Sequence, residues 1–220
     1  MSFVKLKYLY EQPIFAPVNG LESFAGFQGL GVQHNKIWSP EPEKIFKVIP
    51  ERYHKDFNLT RMSINSVLIP HVDNDLITTI NFYFQPEDYR TIFYKAKPNA
   101  RSWKTEEKQL QKLDEMKELD ISFEELKVSP KEYMKEYIKD KKNMPTVEEI
   151  SYVDAVYSYE DVYETGSFIA NVNEAYLLDL REIHNVEPLN GPKLRKAFAL
   201  RTTKYDYREV YEMLEETGNL

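Results

Sequence analysis

Three runs rich in β-branched and aromatic residues follow one another in this chain: LTRMSINSVLIP from residue 59, LITTINFYF from residue 76 and YRTIFYKA from residue 89. Such side chains lose rotamer freedom in a helix and pack well on a pleated surface, so each run reads as a strand. The QPED between the last two has turn chemistry. Further runs follow from residue 150: ISYVDAVYSY, GSFIANV, EAYLLDL and RKAFALRTT. Many short strands, each with an apolar face to hide, constrain the chain to a mainly β (α+β) barrel or sandwich with flanking helices.

The remaining segments have other patterns. Residues 1–57 hold scattered aromatics, prolines and the turns VNG and GLGV, and read as irregular strands and loops with a short helix at PEKIFKVIP. In residues 104–142, Leu110, Leu113, Met116 and Leu119 recur at near-helical spacing amid Glu and Lys, and Thr105 can cap the start. SPKEYMKEYIKDKK reads as a second helix, with Pro130 near its first turn and lysines at its end. This insertion is either a solvated helical excursion or a lid or partner surface. YDYREVYEMLEETGNL is an amphipathic terminal helix whose stripe is Val210, Met213 and Leu214, with Gly218 as its cap. One domain over residues 1–220, with a helical insertion at 104–142, accounts for these patterns.

Composition narrows the chemistry. With no cysteine, thiolate zinc sites, iron–sulfur clusters and a cysteine nucleophile are excluded, so any metal must be held by histidine nitrogen and carboxylate oxygen. A net charge of −7 argues against nucleic acid as a partner, because neutralising phosphate drives most such binding. The first residues lack the apolar core of a signal peptide, and no apolar run approaches the roughly 20 residues that span a bilayer. A cytoplasmic protein, in a host cytoplasm if viral, without a membrane partner is the expectation. Nothing in the sequence sets an oligomeric state.

His71 and Asp73 stand two positions apart in LIPHVDND, after an apolar run. A His-x-Asp tripeptide alone arises by chance, and the bland reading is a strand-end histidine with a turn aspartate. Its context adds weight. Thr79, Asn81 and Tyr83 share one face of the next strand, which either lines a polar pocket or meets solvent. Much later an apolar strand runs into a turn, then comes His184, then a Pro- and Gly-containing loop, then a strand with Arg195 and Arg201 at its two ends. Ala197 and Ala199 lie between those arginines on one face, leaving room for an anion that Arg can take bidentately. His34 and His54 lie among polar residues and read as surface or structural, and Trp38 and Trp103 as packing residues or caps of the barrel mouth.

The order His-x-Asp, a long gap, a lone His and then an Arg resembles the iron(II)- and 2-oxoglutarate-dependent oxygenases. PHVDNDLITTINFYF is similar to the PH-x-D … NFY segment of their prolyl- and aspartyl-hydroxylase-like branches, and AYLLDLREIHNVEPLNG to a later segment of small phage and bacterial forms. The likeness covers roughly residues 58–96 and 166–202. It implies a double-stranded β-helix, a jelly-roll or cupin-like barrel, with Fe(II) held by His71, Asp73 and His184. It also implies 2-oxoglutarate as co-substrate, anchored by Arg195 or its rival Arg201, with Tyr83 and Asn81 as further contacts. The activity implied is hydroxylation of a C–H bond by O₂ with release of succinate and CO₂. The substrate would be a protein, an amino acid or another small molecule. Two rival classes are a non-catalytic barrel that binds a metal or a partner, and a zinc hydrolase, for which the HExxH pattern is absent. A nucleobase target is disfavoured by the acidic balance.

Overall fold

A computed structural model of the chain describes residues 2–7, 28–29, 32–35, 42–64, 68–73, 76–86, 88–104, 153–190 and 195–220. They are mainly β. The strands are β1 (Phe3–Lys5), β2 (Gln28–Gly29), β3 (Val32–Asn35), β4 (Asn58–Ile64), β5 (Leu68–Asp73), β6 (Thr78–Gln85) and β7 (Tyr89–Ala96). They continue as β8 (Ser102–Lys104), β9 (Val153–Tyr157), β10 (Val162–Ile169), β11 (Ala175–Asp179), β12 (Ile183–Pro188) and β13 (Arg195–Thr202). Helix α1 (Pro42–Phe46) and a 3-10 turn (Glu51–Asp56) precede β4, and α2 (Tyr207–Glu216) closes the chain.

Two antiparallel sheets result, ordered β1-β11-β6-β13-β4-β3-β2 and β10-β7-β12-β5-β9-β8. The chain passes from sheet to sheet at β4 to β5, β5 to β6 and β6 to β7, and again at β10 to β11, β11 to β12 and β12 to β13. The architecture is that of a β-sandwich. Met62, Tyr83, Tyr176, Leu178, Ala197 and Ala199 of the first sheet pack with Tyr89, Phe93, Phe168 and Val186 of the second to form the core between the sheets. A second core lies on the other face of the first sheet, where Ile80, Phe82, Leu177, Phe198 and Leu200 meet Ile45 of α1 and Val210, Met213 and Leu214 of α2. The central strands β6 and β13 of the first sheet are therefore buried on both faces over most of their length.

This alternation fixes the direction of the side chains that matter below. Phe198 and Leu200 point to the helical layer, so Arg195, Ala197, Ala199 and Arg201 face the second sheet. On β6, Ile80 and Phe82 point to the helices, while Thr79, Asn81 and Tyr83 face inward. These three are at most 5% exposed, so the polar face of LITTINFYF lines the interior and does not meet solvent.

The structure corrects several sequence expectations. LTRMSINSVLIP is two strands, β4 in the first sheet and β5 in the second. Both halves are rich in the same strand-forming residues, so composition gives no sign of the crossing. His184 follows a turn, as expected, and lies on a strand of its own, β12, which was not anticipated. That strand is held between β5 and β7, and Ile183 to Val186 are all buried, so it lacks the alternation that marks a half-exposed strand. β10 begins at Val162, ahead of GSFIANV, and β8 was not anticipated. Lys104 ends β8, and the helical insertion expected over 104–142 otherwise lies outside the described residues, as does Trp38. The terminal helix matches its expectation. Asp206 and Glu209 form a reciprocal capping box, and Gly218 follows with φ 75°.

Candidate metal centre

His71 and Asp73 occupy alternate positions at the end of β5, so one strand directs both side chains to one face. His184 of β12 is the direct antiparallel partner of His71, and the two imidazoles lie 4.4 Å apart between ring centroids. Two residues separated by more than a hundred positions are thus neighbours because their strands pair. Both are buried, 4% and 6% exposed. One ligand atom from each of His71, Asp73 and His184 lies within 4.8 Å of the others. Phe93, the register partner of His184 on β7, flanks its ring with centroids 5.8 Å apart.

The hydrogen bonds fix the tautomers. His71 Nδ1 lies 2.7 Å from the Ile69 carbonyl, and His184 Nδ1 lies 2.9 Å from the Glu182 carbonyl. A carbonyl only accepts, so each Nδ1 carries the proton and each neutral ring offers the Nε2 lone pair inward. His71 Nε2 stands 3.4 Å from Asp73 Oδ1. In the neutral ring these are two acceptors face to face, an arrangement relieved by a cation between them or by a proton on Nε2. Burial, with His71 alongside, pushes the His184 pKa down to about 4, so this ring is neutral at physiological pH. At Asp73, burial opposes ionisation, but the adjoining His71 and His184 rings and the Arg201 cation outweigh it and hold its pKa below the ordinary carboxylate value. Two neutral imidazoles and one carboxylate fit non-haem Fe(II). Metal–ligand bonds of about 2.1 Å would draw the three groups closer together.

Arg195 opens β13 and is 1% exposed. Its Nη2 donates to Thr91 Oγ1 at 3.0 Å, whereas Nε and Nη1 are buried without a hydrogen-bond partner. The guanidinium lies over the Tyr83 ring at 4.4 Å and near the Tyr89 ring at 5.9 Å. Burial lowers the Arg195 pKa, with the two tyrosines opposing the shift. Among the described residues no carboxylate pairs with this cation. A buried charge left without an anion costs several kcal/mol, so the site suits an incoming carboxylate.

A chain of polar groups runs along β6 beside it: Thr79 Oγ1 donates to Asn81 Oδ1 at 3.0 Å, and Asn81 Nδ2 donates to Tyr83 Oη at 3.4 Å. Arg201, at the other end of β13, is partly exposed and interacts electrostatically with Asp73.

The fold therefore brings His71, Asp73 and His184 together, sets Arg195 on the same inter-sheet face as Tyr83 and Asn81, and puts Arg201 near Asp73. Sequence reasoning missed Thr91 and Phe93, which lie within YRTIFYKA without any motif of their own. Their role depends on β7 pairing with β12, which is a long-range fact. His54 is structural, as expected. Its Nε2 lies 2.7 Å from the Ile49 carbonyl and its ring packs on Phe46 at 5.1 Å. His34 sits on β3 and Trp103 on β8. The chain matches no protein-family model, and no curated protein matches it.

Among the described residues no helix is long and apolar enough to cross a membrane.

Proposed function

We propose that this chain is an Fe(II)- and 2-oxoglutarate-dependent dioxygenase, a hydroxylase on a double-stranded β-helix. The strand order supports that fold. Four adjacent strands of each sheet, β4-β13-β6-β11 and β5-β12-β7-β10, are eight strands wound to and fro between two sheets. The metal ligands lie at the end of β5 and the start of β12, and the anion anchor lies at the start of β13.

The observation that carries the reading is the buried guanidinium of Arg195, which no carboxylate among the described residues pairs with and whose Nε and Nη1 lack hydrogen-bond partners. Its partner Thr91 is two residues along β7 from Phe93, the register partner of His184. Two residues of strand span about 7 Å. A short dicarboxylate that chelates the metal through one end can therefore reach Arg195 with the other, as 2-oxoglutarate does in this chemistry.

Bound Fe(II) with 2-oxoglutarate and O₂ supplies the oxidising power, and hydroxylation of a C–H bond is its outcome, with succinate and CO₂ released. The chain's own work is binding, orientation and exclusion of water. His71, Asp73 and His184 would hold three positions on one side of the metal and leave the others open. The carbonyls of Ile69 and Glu182 keep both imidazoles in the ligating tautomer. Arg195 and Thr91 would take the distal carboxylate, with the Tyr83 ring beneath the guanidinium keeping it in place. Phe93, Tyr83 and Leu178 form apolar walls that keep water from the site.

Titration of the protein with Mn(II), an O₂-inert stand-in, tests this by electron paramagnetic resonance. The expected result is one site per chain, lost in His71→Ala and tightened by 2-oxoglutarate only while Arg195 is intact. Mn(II) binding that is unchanged by His71→Ala would overturn the assignment.

A further inference from the structure

We propose that Arg201 receives an anionic group of the primary substrate, so that the C–H bond offered to the metal belongs to a molecule carrying a carboxylate, phosphate or sulfonate. The inference rests on the dioxygenase reading of the site and names the substrate chemistry it leaves open.

Arg195 and Arg201 share the inter-sheet face of β13, six residues apart, which separates their Cα atoms by about 20 Å. Their surroundings differ. Arg195 is 1% exposed, with Tyr83, Tyr89 and Thr91 against its guanidinium. Arg201 is partly exposed and lies in register with Thr79 on β6 and with Asn58 on β4. One rung inward, Ala199 lies between Asn81 and Thr60. The Arg201 end of the interior is thus a trough of amides and hydroxyls floored by a small residue, and it opens to solvent at Asn58. A polar ligand can enter there, whereas Arg195 is buried.

Arg201 is also on the metal side: the Asp73 N–H donates to the Leu180 carbonyl, the Leu180 N–H to the Ile77 carbonyl, and the Ile77 N–H to the carbonyl of Thr202, the residue after Arg201. The Asp73 charge acts on Arg201 accordingly. Yet among the described residues Arg201 makes no hydrogen bond and no ion pair. The charge balance makes this informative. The two charges of Fe(II), the Asp73 carboxylate, dianionic 2-oxoglutarate and Arg195 cancel. Among the described residues Arg201 is then a cation in excess, partly exposed and acting on the candidate ligand Asp73. An oxyanion on the substrate restores neutrality and fixes the substrate's orientation through bidentate hydrogen bonds.

The test is calorimetric titration of the full chain loaded with Mn(II) and 2-oxoglutarate. The probes are acetate, inorganic phosphate and methanesulfonate, with neutral acetamide as control, so the arms also distinguish the three oxyanions. At least one anion is expected to saturate a single site while acetamide does not. Arg201→Gln should weaken that binding about tenfold or more, and Arg201→Lys should restore part of it. Affinity for 2-oxoglutarate should stay within about twofold in both variants. Anion binding equal in wild type and Arg201→Gln, or none in wild type, overturns the proposal. So does an Arg201→Gln chain that loses 2-oxoglutarate affinity about tenfold, which would assign Arg201 to the co-substrate. A wild-type chain that binds Mn(II) but no 2-oxoglutarate would instead overturn the reading underneath.

Discussion

His71 and His184 are direct partners across the β5–β12 ladder, and each holds its Nδ1 on the carbonyl two residues before it. The same device on two strands points both Nε2 atoms at one place, beside Asp73. Removing one of three such ligands should cost at least as much as the roughly 100-fold seen for outer partners of metal ligands. Mn(II) titration of His71→Ala, Asp73→Ala and His184→Ala checks this, and all three are expected to fall together. A variant that keeps wild-type affinity would remove its residue from the site.

Arg195 should trade stability against binding. Its guanidinium is buried with Nε and Nη1 unpartnered and no carboxylate beside it among the described residues, so Arg195→Met, which keeps most of the volume, should leave the metal-free chain at least as stable as wild type. The same variant should lose the stabilisation that 2-oxoglutarate confers on the Mn(II)-loaded protein, about 2.7 kcal/mol at a ligand concentration 100 times Kd. Thermal unfolding with and without 2-oxoglutarate measures both effects. An apo Arg195→Met protein several degrees less stable would mean that the guanidinium serves packing more than an anion.

His184 should give the metal-free protein a pH dependence of known sign. Its folded pKa of about 4 lies below the ordinary 6.5, so between those values the unfolded chain binds the proton that the folded chain refuses. Stability is therefore fully present above about pH 6.5 and is lost as pH falls toward 4, by about 3 kcal/mol for this group. Thermal unfolding across that window should show the loss, and His184→Asn should flatten it. An equal slope in the variant would contradict the burial of a neutral ring.

A polar network behind the site should matter for folding alone. Tyr94 Oη donates to Asn185 Oδ1 at 3.1 Å, and Asn185 Nδ2 donates to Tyr159 Oη at 2.9 Å, on the face of β12 opposite His184. Tyr94→Phe leaves the buried Asn185 oxygen without this donor and should cost about 1–3 kcal/mol. Denaturant unfolding measures that cost. Mn(II) affinity should not move, and a large drop would show that the network positions His184.

The strands at β6, β7, β11 and β13 were legible because their residue types and turn punctuation are local signals. Side-chain spacing also put Arg195, Ala197, Ala199 and Arg201 on one face correctly. What stayed hidden was long-range. The strand β12 that carries His184 went unread because it is buried on both faces and shows no alternation. The inward orientation of Thr79, Asn81 and Tyr83 was an open alternative, since a polar strand face has the same pattern whether it meets solvent or a lined interior. Spacing alone left Arg195 and Arg201 as rivals. Their burial, which spacing cannot show, differs: Arg195 is 1% exposed and Arg201 is partly exposed.

The most direct measurement is the visible absorption of the protein mixed anaerobically with Fe(II) and 2-oxoglutarate. Chelation of the metal by the keto acid produces a weak charge-transfer band that neither component gives alone. The wild-type chain is expected to show this band. His71→Ala and Asp73→Ala are expected to lack it, and Arg195→Ala to need far more 2-oxoglutarate to develop it. A wild-type protein that binds Fe(II) but develops no band with saturating 2-oxoglutarate would contradict the dioxygenase reading.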